Sequence, residues 1–218
     1  MAHVLICGMT ESGKTTLARS LAHAYRMKGI GVLVLDPLRD PRWNCDFITA
    51  DQDAYLDALW HSRHCMAFMD EGGKSVGRYN YAMQETATMA RHWGHSCHYI
   101  GQDPTLLAPI IRDQCRHIFL FCASDRVGKK LADEFNQPAL LECGSLKQGE
   151  YIRAARFGGA SRHTFGASKN ESVRIGSNGS GGSRRTALIE GRKEGGNEAG
   201  REQAGGEVEA TEGGPDSS

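Results

Sequence analysis

The sequence has no apolar run approaching the roughly 18 residues that span a bilayer, so no transmembrane helix is expected. No charged-then-apolar leader precedes the first strand-like run, so no signal peptide is expected either. Net charge is also missing, because 26 Lys and Arg balance 26 Asp and Glu. A neutral chain does not hold nucleic acid by bulk attraction, so any such contact must come from where individual charges sit. Aromatic residues make up 7% of the chain and almost vanish beyond Gly158, where Gly, Ser, Glu and Arg take over. So little apolar surface does not offset the entropy of ordering, and 158–218 is expected to be a disordered tail. Its charge is mostly basic from Arg162 to Lys193 and mostly acidic from Glu194 to Asp216, which suits either a partner contact or plain solvation. Residues 1–157 remain as the globular domain. The seven cysteines include no CxxC pair, and Cys7, Cys65, Cys97, Cys115 and Cys122 lie in or beside apolar runs. They read as reduced core residues of a cytoplasmic protein.

What is present is organised around one stretch. Gly8, Met9, Thr10, Glu11, Ser12, Gly13, Lys14 and Thr15 fit the phosphate-binding pattern G-x-x-x-x-G-K-[ST]. The short apolar run His3–Cys7 precedes it, and Leu17, Leu21 and Ala24 follow at helical spacing, giving strand, glycine-rich turn, helix. In that context the backbone N–H groups from Gly8 to Thr16 point at the β- and γ-phosphates of a nucleotide such as ATP, and the helix dipole favours the negative charge. Lys14 adds a cation, and the Thr15 hydroxyl is suited to Mg²⁺.

Downstream, strand and helix patterns alternate. Strands are expected at 31–36, 46–49, 64–70, 95–102 and 117–123, and helices at 52–63, 80–93, 104–113 and 125–135. The stretch from Leu146 to Phe157, with Gly149 and Glu150 in a turn, reads as a terminal strand or hairpin. The alternation predicts an α/β fold, a RecA-like P-loop NTPase with a mainly parallel sheet between helices.

Two further pieces join the loop. Met66–Met69 is an apolar strand followed by Asp70 and Glu71. An Asp at the end of a buried strand beside a phosphate loop holds the Mg²⁺ shell with Thr15, and the next acid polarises a water for attack on the γ-phosphate. Such a base suits hydrolysis and is not needed by a small-molecule kinase. Gln102 closes the next strand, just before Pro104. It either meets the γ-phosphate or the attacking water, or caps the helix that follows.

Together these residues resemble the FtsK/HerA superfamily of P-loop motor ATPases. Gly8–Thr15 corresponds to Walker A, Leu33–Pro37 to a strand ending in Asp-Pro, Asp70-Glu71 to Walker B with its catalytic glutamate, and Gln102 to a sensor glutamine. The resemblance implies an arginine acting on the neighbouring subunit's nucleotide; Arg91 sits at the fitting distance, and Arg112 and Arg116 lie in a region that also carries such arginines. A bare domain of this size is similar to the genome-packaging ATPases of tailless, internal-membrane viruses of the tectivirus type. The implied activity is Mg²⁺-dependent ATP hydrolysis coupled to translocation of double-stranded DNA into a preformed capsid. The implied assembly is a homo-oligomeric ring, a hexamer being one such closure, with capsid or portal-vertex proteins as partners. Location follows as host cytoplasm and virion. The competing readings are another P-loop enzyme, such as a small-molecule kinase, and a non-motor nucleotide-dependent switch.

A motor grips DNA through phosphate contacts from Lys and Arg on loops. Lys74 and Arg78, on the loop after Glu71, have that character, and Arg39 and Arg42 are second candidates. His92, His95, Cys97 and His98 form a cluster that suggests zinc, but strand alternation sends His95 and Cys97 to one face and His98 to the other.

Overall fold

In a computed structural model the described residues are 2–71, 80–165 and the backbone of 173–174. They build one nine-stranded sheet in the order β3-β2-β4-β5-β1-β6-β7-β8-β9. The strands are β1 His3–Cys7, β2 Val32–Leu35, β3 Phe47–Thr49, β4 Met66–Met69, β5 Ser96–Gly101, β6 Cys115–Phe121, β7 Glu150–Ala155, β8 Ala160–Thr164 and β9 Val173–Arg174. The first six run parallel, and β7, β8 and β9 are added antiparallel beside β6. The helices among the described residues are α1 Lys14–Arg26, α2 Gln52–His61, α3 Tyr81–Thr88, α4 Pro109–Gln114 and α5 Asp125–Phe135. None is long and apolar enough to cross a membrane.

Strands β1, β2, β4 and β5 are buried along their whole length, which is why they read as continuous apolar runs rather than alternating ones. Their side chains feed two cores. On one face Val4, Ile6, Val34 and Phe68 meet Leu17, Ala18 and Ala22 of α1, with Trp43. On the other, Leu5, Leu35, Met69 and Tyr99 meet α2, α3, α4 and α5 through Leu59, Met83, Ile111 and Leu131. Asp51 caps α2, its carboxylate accepting from the Ala54 N–H at 2.9 Å.

Several boundaries differ from expectation. The helix expected over 104–113 is broken: a 3₁₀ turn spans Pro104–Leu106, and α4 starts only at Pro109. The ring of Pro109 forces Ala108 into an extended conformation (ψ 140), so no continuous helix crosses it. The helix expected over 80–93 ends at Thr88 and tightens into a 3₁₀ turn, Ala90–Trp93. The terminal hairpin also closes later than expected. Its turn follows Ala155, and the partner of β7 is β8, at residues expected to begin the tail. The fold therefore extends past residue 157. β8 escaped notice because Ala160–Thr164 is half-exposed and carries Ser, Arg and His instead of an apolar alternation.

Two buried histidines set an acid limit on this fold. His98 stacks on Phe68 with ring centroids 4.3 Å apart and has Tyr25 at its edge. Its Nδ1–H donates to the Ser96 carbonyl at 3.2 Å, while Nε2 has no partner. Burial pushes its pKa down to about 3, and that of His3 down to about 4. The folded chain keeps both neutral where the unfolded chain, titrating near 6.5, has already bound protons. Stability should thus hold above about pH 6.5 and fall as pH drops towards 3. In denaturant titrations between pH 6 and 4, His98→Phe should reduce the loss of stability per pH unit by about 1.4 kcal/mol, one proton's worth.

Candidate active site

Parallel strands deliver their C-terminal ends to one edge of the sheet, and that edge is where ligands bind in open α/β folds. Here it carries the Gly8–Gly13 loop after β1, Asp36 after β2, Asp70 and Glu71 after β4, and Gln102 after β5. Because β5 lies between β1 and β4, Gln102 stands between the phosphate loop and the acidic pair.

The loop takes its shape from backbone that few residues tolerate. Gly8 has φ +145, and a Cβ there would lie 2.6 Å from the Cβ of Phe121. Met9 N–H donates to the Cys122 carbonyl at 2.8 Å, pinning the loop to the end of β6. Gly13, left-handed at φ 110, precedes α1, whose first turn has neither a capping side chain nor an acid. Its terminal N–H groups are therefore left for an anion. The Ser12 hydroxyl is buried without a hydrogen-bond partner. Lys14 is buried and its Nζ donates to the Met9 carbonyl at 2.6 Å. Burial presses the Lys14 ammonium below its ordinary pKa, and Asp70 pulls it back up. An uncapped helix start, an orphaned hydroxyl and a half-desolvated ammonium together fit a bound phosphate chain.

The acidic pair faces the loop. Thr15 Oγ1 donates to Asp70 Oδ2 at 3.2 Å, and the Glu71 N–H donates to Asp70 Oδ1 at 2.9 Å. Burial raises the Asp70 pKa, the two hydrogen bonds oppose this, and Asp36 and Glu71 add to the rise. This buried carboxylate, with Asp36, Glu71 and the Lys14 ammonium nearby, joins the Thr15 hydroxyl in offering the hard oxygen donors that Mg²⁺ prefers. Glu71 is left-handed at φ 53, an uncommon conformation for a side-chain-bearing residue, and turns the chain just past Asp70. Gln102 is exposed at the mouth of the site.

Other expected residues are dispersed. Arg91 lies in the 3₁₀ turn before β5, donates to Gln114 at 2.8 Å, and sits close enough to His3 to lower its basicity. It is thus at the start of β1, roughly 16 Å of strand from the loop at β1's other end. Arg112 is buried, forks onto Glu134 at 3.0 Å, and donates to the carbonyls of Pro104 and Leu107. Arg112 is therefore a structural residue and not a candidate for a neighbour's site. Arg116 lies over the Phe157 ring at 5.7 Å. Arg42 is paired with Asp40 at 2.6 Å, leaving Arg39 as the less committed of those two. Lys74 and Arg78 lie outside the described residues. Both ring nitrogens of His95 meet backbone groups, Cys65 N–H and Leu59 carbonyl, and no group of three metal-binding side chains converges among the described residues.

Sequence reasoning missed the other wall. Gln148 Nε2 donates to the Glu11 carbonyl at 3.0 Å, Gly149 N–H donates to the Ser12 carbonyl at 3.0 Å, and Phe165 N–H donates to the Gly149 carbonyl at 2.8 Å. These three residues close a 370 Å³ cavity with Glu11, Gly13, Lys14, Thr15 and Thr16. They reach it because β7 runs antiparallel, so its start and the end of β8 return to the edge that holds the loop. Asp36 was matched to a strand end, but its part is local. Its carboxylate accepts from the N–H groups of Leu38 and Asp40 and from Trp43 Nε1, organising the loop beside Asp70.

No protein-family model matches the sequence, and no curated protein does. Solved structures do. The genome-packaging NTPase B204 of Sulfolobus turreted icosahedral virus 2, in complex with AMPPCP, matches with a TM-score of 0.65 at 17% identity, over 75% of this chain and 97% of that one. VirB4 of Thermoanaerobacter pseudethanolicus matches with 0.59 at 13% identity, over 77% of this chain and 90% of that one. The pCW3 conjugation coupling protein TcpA, with ATPγS, matches with 0.54 at 10% identity, over 71% of this chain and 57% of that one. At such identities the likeness establishes the fold alone, the α/β arrangement that these P-loop ATPases share.

The placement of Arg112 carries a prediction. Arg112→Ala leaves Glu134 and two carbonyls without their partner and should cost about 3–5 kcal/mol in equilibrium unfolding. Arg91→Ala, at an exposed position, should leave unfolding within about 0.5 kcal/mol of the parent.

Proposed function

We propose that this chain is one subunit of an ATP-hydrolysing ring motor that moves double-stranded DNA, and that it packages a viral genome into a preformed capsid. The observation that carries the reading is the contact of Thr15 with Asp70 at 3.2 Å, with Glu71 next in the chain and Gln102 on the strand between. A cation-holding pair and a free carboxylate converge on a phosphate-binding loop, which is the equipment of hydrolysis. The match covering nearly all of a genome-packaging NTPase supports the finer statement.

In this reading Lys14 and the N–H groups from Gly8 to Thr16 hold the β- and γ-phosphates. Thr15 and Asp70 hold Mg²⁺, which neutralises charge on the phosphate oxygens. Glu71 accepts a proton from the attacking water, and Gln102 orients that water or contacts the γ-phosphate. Arg91 is too far along the sheet to serve its own loop, so it acts on the nucleotide of a neighbouring copy, stabilising charge as transfer proceeds. Such a head-to-tail contact repeats until it closes, and a ring is the finite outcome. DNA is then gripped in the ring by loop cations, with Lys74 and Arg78 as the candidates.

Glu71→Gln should keep nucleotide affinity and lower turnover by roughly 10²–10⁴-fold, read by calorimetry and phosphate release. ATP turnover should rise on adding duplex DNA of any sequence. Arg91→Ala should bind nucleotide but not hydrolyse it, and mixed into wild type it should inhibit more than its share. Turnover indifferent to DNA would remove the motor reading, and full activity of Arg91→Ala would remove the shared site.

A further inference from the structure

The phosphate loop lines part of the open 370 Å³ cavity; among the described residues, Gln148, Gly149 and Phe165 line the rest. The backbone groups of Gly149 are engaged there. Gly149 donates to Ser12 and accepts from Phe165, and the Gln148 amide donates to Glu11. The wall also offers a ring: Phe165 is an exposed aromatic, at 40%, and its backbone N–H donates to the Gly149 carbonyl. No aromatic residue follows it in the sequence. An exposed aromatic in a cavity whose other residues bind phosphates has the chemistry to stack on a nucleobase.

We infer that Phe165 is the platform on which the base of the bound nucleotide stacks. This rests on the phosphate-site reading above. One N–H of the Gln148 amide is engaged by Glu11, and its other N–H and its carbonyl oxygen face a seated base as the groups that would read its edge. The wall also has a mechanical relation to the loop. Gly149 and Gln148 hang from the carbonyls of Ser12 and Glu11, so a base seated on Phe165 lies against the segment that clasps the phosphate loop.

The test uses the full chain and three ligands: a non-hydrolysable ATP analogue, its GTP counterpart and inorganic tripolyphosphate, which has no base. Phe165→Ala should weaken both nucleotides by roughly 10- to 100-fold, the range measured for loss of one base stack, and leave tripolyphosphate unchanged. Phe165→Trp should restore nucleotide affinity. Unchanged nucleotide affinity in Phe165→Ala overturns the platform and leaves the phosphate site standing. Equal loss of tripolyphosphate assigns Phe165 to the loop's support and overturns it too. A wild type that binds none of the three ligands overturns both readings.

Discussion

The close approach of Gly8 to β6 is the constraint on which the site depends. With no side chain at Gly8, the phosphate loop lies against the Cβ of Phe121, and the Met9 N–H reaches the Cys122 carbonyl at 2.8 Å. A methyl group at that point would lift the loop off the sheet. The lifted loop would carry Lys14 and Thr15 away from Asp70, which is anchored to the sheet by its N–H on the Leu35 carbonyl. The 3.2 Å contact between Thr15 and Asp70 is therefore a consequence of how tightly β1's exit packs on β6. Two neighbouring strands set the height of the loop, and a third, two places away, sets the height of the acid.

Electrostatics make the same edge receptive. Asp36, Asp70 and Glu71 gather at the ends of adjacent strands with Lys14 as the nearby cation, and burial penalises the charged form of both Lys14 and Asp70. The uncapped start of α1 adds positive potential without a counter-ion. A bound anion would offset the positive potential of the helix start and the buried ammonium, so the edge is electrostatically suited to a phosphate chain.

The arginines show how burial divides residues of one type. Arg112 is consumed by Glu134 and two carbonyls and binds α4 to α5, while Arg91 stays exposed at the far end of β1. The sequence offers Arg91 at the fitting distance and Arg112 in a region that also carries such arginines. Burial separates them, because a buried guanidinium with four of its five N–H groups engaged in its own subunit is withdrawn from a neighbour.

Local order was what the sequence by itself determined. Gly8–Thr15, Met66–Glu71 and the strand ending at Gln102 are contiguous patterns, and each carries its own turn chemistry and apolar run. The loop, the acidic pair and the parallel alternation were therefore legible without coordinates. Tertiary structure alone decided which strands are neighbours, and with them the rest of the site. Gly149 and Phe165 lie more than a hundred residues from Lys14, and only the antiparallel addition of β7 and β8 beside β6 returns them to the phosphate edge. β8 has a polar, half-buried composition that read as tail, because hydrogen bonding to a neighbour, and not its own apolar content, holds it in the sheet.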